Sequence, residues 1–301
     1  MKIKLIIPII IFIIILVGCQ SQKPKDLTGE ILMENPNINF QGPNGQRYGL
    51  IIYTPKNNNY QYLTANMSMR YPSFSENKEK ILGMLKNGSI AECDIKTKKI
   101  TIIFNKKINS EVRFYSIKYT PEINSIRYIP KTDCISFLLH PYLYIYNRKT
   151  QETESLVTTE EYCWSNDGKT LFYSNDGKIY RYEMDTKRSI LYIKNASGPI
   201  LSENNEYFAR TKISYKRPIK YNPPTIVREL KTGKEWHLTL PVEVLDYQFS
   251  PDNKYLMYSE RTANNFYREL NLMVWDFKNN KKFKLFGNIS MYSAFRGFDW
   301  K

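Results

Sequence analysis

Histidine and cysteine are scarce in this chain of 301 residues, which holds only two histidines and four cysteines. His140 and His237 lack the spacing of a metal-binding pair, and neither has a neighbouring partner for general-base catalysis. We therefore expect both to be structural. A Gly-x-Ser-x-Gly elbow and a glycine-rich phosphate-binding loop are also missing, so the common signatures of serine hydrolases and nucleotide-binding enzymes are absent. We predict no catalytic residue, no metal site and no cofactor.

Long apolar runs are also rare, and the one at the N-terminus is informative. Two lysines precede the run from Leu5 to Val17, which at about 13 residues is shorter than the roughly 20 that span a bilayer. These features predict an export signal over residues 1–18, with an uncleaved membrane anchor as the alternative. Leu16-Val17-Gly18-Cys19 resembles a bacterial lipobox. That resemblance implies that Cys19 carries acyl chains such as palmitate and becomes the first residue of an extracytoplasmic protein anchored to the bacterial cell membrane.

Acidic residues are outnumbered, with 44 Lys and Arg against 29 Asp and Glu, for a net charge of +15. A positive surface attracts polyanions, and outside the cytoplasm these are anionic lipids, wall polymers and acidic proteins. We do not expect a nucleic-acid partner because the compartment is wrong. Since the charges are spread along the whole chain, much of this excess is consistent with an ordinary solvated surface.

Three cysteines remain besides Cys19. Cys93, Cys134 and Cys163 each lie in a short apolar run of the kind that forms a strand. Buried free cysteine commonly packs as a small hydrophobic residue, so we predict free thiols. A disulfide between Cys134 and Cys163 is the alternative, because sequence alone does not give connectivity.

A repeated strand-turn-strand pattern fills most of the chain. Trp164-Ser165-Asn166-Asp167-Gly168-Lys169 and Phe249-Ser250-Pro251-Asp252-Asn253-Lys254 both place a tight turn between two apolar strands. Related units begin elsewhere, with a mean spacing of about 45 residues between anchors, which is typical of four-stranded propeller blades. The anchor positions are Phe74, Tyr128, Trp164, Leu201, Phe249 and Trp300.

These turns resemble those of TolB-like and WD-repeat propellers. The resemblance implies an all-β fold, a six-bladed β-propeller of four-stranded antiparallel blades over residues 40–301, after a flexible tether at 19–39. The C-terminal strand at Phe298–Lys301 and strands near Tyr48–Tyr53 and Tyr60–Leu63 are expected to form one composite blade that closes the ring. Seven blades are the alternative, if the link between Asn105 and Asn124 hides a degenerate blade.

The candidate binding residues lie in two long segments that we expect on the face bearing the links between blades. Arginine can bind a carboxylate or phosphate through two hydrogen bonds, and tyrosine offers a flat apolar contact. The candidates are Tyr215, Lys216, Arg217, Lys220, Tyr221, Arg261 and Arg268. Solvated loops without a ligand are the alternative interpretation of both segments.

The expected function is that of a non-enzymatic binding or scaffold module for a protein or an anionic envelope component. The alternative is a carbohydrate-binding or glycan-active propeller, because tyrosine-rich rims also stack on sugars. An enzyme is expected to show two or three carboxylates that converge in the channel mouth.

Overall fold

The computed structural model describes residues 23–24, 26–34, 49–63, 69–85, 87–105, 112–114, 117–119, 123–213, 224–239, 244–261, 269–290 and 298–301. Over these residues the regular structure is entirely β-strand. No helix in this part of the chain has the length and apolar character needed to cross a membrane.

The strands follow one another with short turns. They are β1 (Ile31–Glu34), β2 (Leu50–Thr54), β3 (Asn59–Tyr62), β4 (Met69–Phe74), β5 (Lys80–Leu85), β6 (Ile90–Asp94), β7 (Ile100–Phe104), β8 (Val112–Phe114), β9 (Ile117–Tyr119), β10 (Ile123–Tyr128), β11 (Cys134–Leu139), β12 (Tyr142–Asn147), β13 (Thr153–Thr158), β14 (Glu161–Trp164), β15 (Thr170–Asn175), β16 (Lys178–Glu183), β17 (Arg188–Lys194), β18 (Ala196–Leu201), β19 (Tyr207–Lys212), β20 (Thr225–Glu229), β21 (Glu235–Leu238), β22 (Val244–Phe249), β23 (Tyr255–Arg261), β24 (Glu269–Asp276), β25 (Lys281–Ser290) and β26 (Phe298–Trp300).

Six antiparallel four-stranded sheets are arranged in a ring, which makes the protein a six-bladed β-propeller. Blades 1 to 5 are β4–β7, β10–β13, β14–β17, β18–β21 and β22–β25, and blade 6 joins β26 to β1, β2 and β3. The innermost strands are therefore β4, β10, β14, β18, β22 and β26. The prediction of six blades is confirmed, and the link after β7 contains only the two-stranded sheet of β8 and β9 among its described residues.

Apolar side chains pack between neighbouring blades. Between blades 4 and 5, Tyr207, Phe249 and Phe277 form one aromatic cluster with ring centroids 5.3–6.3 Å apart. Each large side chain buried in this way contributes about 1.5–3 kcal/mol to stability. The blades are therefore held together mainly by side-chain packing, whereas backbone hydrogen bonds join the strands within each blade.

A serine hydroxyl organises the turn after several inner strands. In blade 3, Ser165 donates to Asp167 Oδ1 at 2.6 Å and accepts from the Thr170 backbone N–H at 2.9 Å. Gly168 takes φ +69°, and a Cβ there would lie 2.3 Å from the Pro130 carbonyl oxygen. The same hydroxyl-centred arrangement recurs at Ser75, Ser202 and Ser250.

Blade 6 is closed by both ends of the described chain. Strand β26 pairs with β1, and the backbones of Glu30 and Lys301 exchange hydrogen bonds of 2.6 and 3.0 Å. Asp299 is buried and accepts from the Phe74 backbone N–H in blade 1 and from Gln248 Nε2 in blade 5, both at 2.7 Å. One carboxylate thus joins the composite blade to both of its neighbours.

The start of the propeller differs from the predicted boundary at residue 40. Ile31–Glu34 falls within the predicted tether, yet it forms β1, with its first three residues buried. The tether prediction is therefore wrong over this segment, because blade 6 requires a strand between β26 and β2. Cys93, Cys134 and Cys163 are free, as predicted, and a disulfide between the last two is not formed.

Candidate functional site

A central cavity of about 270 Å³ opens at the end of the channel where the inner strands begin, which we call the upper face. The opposite end, where the turns after the inner strands lie, is the lower face. All six inner strands contribute to the cavity wall. The lining residues are Tyr71, Pro72, Ser73, Ser125, Ile126, Arg127, Glu161, Tyr162, Gly198, Pro199, Ile200, Asp246, Tyr247, Gln248 and Phe298.

β-Bulges shape this wall in four of the six blades. Each of β4, β10, β18 and β22 places two residues opposite one on the adjacent strand, and the extra residue lies at the cavity. Tyr71, Ser125 and Gly198 occupy the left-handed region at φ 54°, 49° and 61°. A bulge bends its strand and redirects side chains, so the repeated bulges turn inner-strand residues toward the channel.

Two tyrosines form hydrogen bonds from one blade to the bulge of the preceding blade. The Tyr162 hydroxyl donates to the Ser125 carbonyl, and the Tyr247 hydroxyl donates to the Gly198 carbonyl. Burial raises the pKa of Tyr162 to about 12. Burial is also the main cause of the raised pKa of Tyr247, and the negative charge of nearby Glu161 raises that pKa further. Both phenols therefore stay protonated and act as structural donors in the cavity wall.

The charged groups of the cavity are Arg127, Glu161 and Asp246, from blades 2, 3 and 5. Both carboxyl groups face the lumen, but protein atoms surround them closely. Burial is the main cause that raises the pKa of Glu161, and the neighbouring Asp246 raises it further, whereas the Gly198 backbone N–H lowers it. Burial likewise raises the pKa of Asp246, while the positive charge of Arg127 opposes that shift.

Arg127 is the one cation among the cavity-lining residues. Its guanidinium has no hydrogen bond or ion pair to another residue in the described part of the chain. A guanidinium carries five donors and strongly favours carboxylate and phosphate oxygens. The cavity therefore offers a charged donor group to an incoming ligand, flanked by two carboxyl groups whose pKa values are raised.

Most of the sequence-predicted binding residues lie outside the described residues. This applies to Tyr215, Lys216, Arg217, Lys220, Tyr221 and Arg268, and also to the lipidation candidate Cys19. Arg261 is the last residue of β23 and pairs with Leu270. The strands that flank the two predicted segments, β19 with β20 and β23 with β24, meet them at the upper face, where the cavity opens.

Sequence reasoning missed the cavity residues. Arg127, Glu161 and Asp246 each stand only a few residues before an aromatic or apolar anchor of the repeat, so a comparison of equivalent inner-strand positions would have singled them out. The directions of the Arg127 and Asp246 side chains were not predictable because a bulge reverses the alternation of side chains along a strand. Among the described residues no group of three or more His, Cys, Asp or Glu side chains is arranged to hold a metal ion.

Comparisons with known proteins support the fold. No protein-family model matches this chain, and no curated protein matches it. A TolB candidate from Agrobacterium tumefaciens is similar in structure, with a TM-score of 0.59 and 10% identity over 91% of this chain and 98% of that chain. A chain in the crystal structure of a mitotic checkpoint complex has a TM-score of 0.51 and 11% identity, over 91% of this chain and 86% of its own. The protein has a β-propeller fold of the TolB-like and WD-repeat-like type.

Proposed function

We propose that this protein is a non-catalytic binding module whose upper face takes up a protein or an anionic envelope component. The observation that carries the proposal is the central cavity, to which all six blades contribute and in which Arg127 presents a free guanidinium within the described structure. A carboxylate or phosphate group of the partner would enter the cavity and bind Arg127. The raised pKa values of Glu161 and Asp246 favour their neutral forms and so reduce repulsion of such an anion.

The basic segments predicted from the sequence extend this site. The described residues that border these segments are Ile213 and Pro224 for the first and Arg261 and Glu269 for the second, all at the upper face. Lys216, Arg217 and Lys220 would therefore approach a partner from the same side as the cavity. Positive groups on one side steer an acidic partner toward the channel mouth.

Affinity capture from envelope extract, followed by mass spectrometry, tests this site. We expect Arg127→Ala to weaken capture of the partner about tenfold or more, because a hydrogen-bonded charged contact is lost. A triple change of Lys216, Lys220 and Arg217 to Ala should weaken it as well. Lys231→Ala with Lys234→Ala, on the lower face, is the matched control. Capture that survives the upper-face changes undiminished would show that the partner binds elsewhere.

The location is a separate part of the proposal. We infer that the mature chain begins at a lipidated Cys19 and is held at the outer surface of the bacterial cell membrane. The lipobox-like Leu16-Val17-Gly18-Cys19 supports this inference. Labelled palmitate should be incorporated into the wild-type chain and not into Cys19→Ser, and the variant should leave the membrane fraction. Equal labelling of both chains would contradict the anchor.

A glycan-active propeller is the second candidate function, because Glu161 and Asp246 face the same cavity and interact electrostatically. A carboxyl group with a raised pKa beside a second carboxyl group is the arrangement that glycosidases use. A glycan array and assays with chromogenic glycosides test this candidate. Turnover that disappears in Glu161→Gln would favour it, and the absence of both binding and turnover would count against it.

A further inference from the structure

The described chain begins on the lower face, where the N-terminal segment is fastened to the propeller. Lys23 Nζ donates to the Tyr53 hydroxyl at 2.8 Å and to the Pro55 carbonyl oxygen, at the turn between β2 and β3. Asp26 accepts from the Tyr255 hydroxyl at 2.9 Å, and Leu27 is fully buried. The chain thus contacts the lower face at Lys23, Asp26 and Leu27, before β1 begins.

This attachment leaves little free chain between the propeller and the proposed lipid. Four peptide steps separate Cys19 from Lys23, and fully extended they span at most about 14 Å. Lys23 lies at the lower face, so a bilayer that holds Cys19 must lie close to that face. The upper face, with its cavity, is then directed away from the bilayer.

The periphery of the lower face is strongly basic. It is formed by the six turns that join the third and fourth strands of the blades, which we call the basic rim. These turns are residues 55–58, 95–99, 148–152, 184–187, 230–234 and 277–280, and they contain ten basic and two acidic residues. Every blade contributes at least one exposed lysine: Lys56, Lys96, Lys149, Lys187, Lys231 and Lys278.

Negative charge on this face lies nearer the channel. The five turns that follow the inner strands of blades 1 to 5 contain four basic and seven acidic residues. Two of these acids, Asp167 and Asp252, already accept hydrogen bonds within their own turns. Two rim lysines form ion pairs, Lys149 with Asp133 and Lys187 with Glu154. Exposed ion pairs of this kind contribute little free energy, so these lysines can exchange their partners for lipid headgroups.

The distribution of charge indicates the shape of the partner. Lysines at a similar height on all six blades match a flat anionic surface, which can contact every blade at once. An acidic peptide would reach only one or two neighbouring blades. Basic groups close to an anionic bilayer are attracted to its headgroups, and that attraction falls off within a Debye length.

We propose that the basic rim docks on an anionic lipid surface and holds the propeller with its cavity facing away from the membrane. The orientation rests on the proposed lipidation of Cys19, whereas the charge complementarity of the rim does not. The short link from Cys19 keeps the lower face near the bilayer, and docking of the basic rim then holds that face against the headgroups.

Fluorescent probes at two positions of blade 3 test the orientation. Thr186, in a rim turn, and Glu160, at the upper face, are both exposed and lie about 20 Å apart along the strands. Each is changed to cysteine in the full-length chain with Cys134→Ala, labelled, and reconstituted in vesicles of phosphatidylglycerol and phosphatidylcholine that carry spin-labelled headgroups. We expect strong quenching at position 186 and little at position 160. Equal quenching at both positions, or stronger quenching at position 160, would overturn the proposal.

Charge variants test the cause of the docking. Lys96→Gln with Lys231→Gln should lower the ratio of docked to undocked molecules about fivefold per lysine, so quenching at position 186 falls. Lys194→Gln with Lys212→Gln removes the same charge from the upper face and should leave quenching unchanged. Vesicles of phosphatidylcholine alone should also reduce quenching at position 186, because only the anchor then holds the lower face near the bilayer. Quenching that is insensitive to the rim variants would contradict an electrostatic rim.

A Cys19→Ser chain separates this inference from the anchor. Added to the same anionic vesicles with the same probes, it should still be quenched at position 186, more weakly because attachment no longer raises its local concentration. Mass analysis of the wild-type chain reports lipidation independently. A wild-type chain without lipid would refute the anchor, while the pattern of quenching would still decide whether the rim docks.

Discussion

At the scale of single residues, burial inside the channel governs the chemistry of the cavity. Asp246 and Glu161 retain a face toward water, yet protein atoms around them disfavour the charged forms. Burial also raises the pKa of the Cys163 thiol, to about 12. A thiol with so high a pKa stays protonated at neutral pH and is a poor nucleophile.

We predict that Asp246→Asn stabilises the protein at neutral pH. Burial raises the pKa of Asp246 above its ordinary value of 3.8, so the folded state binds its proton more tightly than the unfolded state does. This tighter proton binding stabilises the folded state fully at pH values below the pKa of Asp246 in the unfolded chain. The stabilisation is lost as the pH rises through the pKa of Asp246 in the folded protein. Asparagine cannot ionise and avoids that loss.

Urea unfolding at several pH values checks this prediction. The difference in unfolding free energy between Asp246→Asn and wild type should be positive at neutral pH and should vanish below about pH 3.8. Asp185→Asn, at an exposed turn of the lower face, is the control and should change stability little at any pH. An advantage for Asp246→Asn that persists at acid pH would point to a packing effect instead.

At the scale of strands, the repeats were predictable and the bulges were not. The period-two alternation and the Ser-Asn-Asp-Gly turn indicated the strand pairs directly, because a tight turn fixes the register of a hairpin. The extra residue in β10 or β22 has no strong signature, since Ser125 and Asp246 lie inside their strands with no glycine or proline beside them. The sequence consequently predicts the binding residues in long loops rather than on the inner strands.

Gly198 is the bulged position where a side chain is least tolerable. We predict that Gly198→Ala lowers the free energy of unfolding by about 2 kcal/mol or more, because φ is +61° and the new Cβ would lie 2.4 Å from the Tyr247 hydroxyl. Thermal or urea unfolding measures the loss.

Gly88→Ala is the matched control for this change. Gly88 also has positive φ, at 84°, but no atom lies within 4 Å of the new Cβ, so only the backbone cost of about 1–2 kcal/mol applies. If the two variants lose the same stability, the close approach of Tyr247 to Gly198 does not contribute to the loss of unfolding free energy.

At the scale of the whole molecule, closure of the ring is the feature that the sequence indicated only in part. The lone strand at Phe298–Trp300 predicted a composite blade, and the structure confirms it. The strand Ile31–Glu34 was not predicted, because three apolar residues followed by one glutamate are too few to show a periodicity. Only the need of blade 6 for a strand between β26 and β2 identifies it.

Asp299 provides a test of closure. We predict that Asp299→Ala lowers the free energy of unfolding by about 2–4 kcal/mol, because the buried Phe74 N–H and the Gln248 amide lose their acceptor. Asp299→Asn keeps one carbonyl acceptor and should lose less. Urea unfolding followed by tryptophan fluorescence measures both variants, and a loss for Asp299→Ala no larger than for Asp185→Ala would show that the carboxylate does not join the blades.

The composite blade also governs the order of events during synthesis. The inner strand of blade 6 is β26, which follows every other described strand of the ring in chain order, whereas β1 to β3 precede them. Until β26 is available, β1 has an unsatisfied edge and the ring has a gap between blades 5 and 6. The ring therefore closes only after β26 has been synthesised.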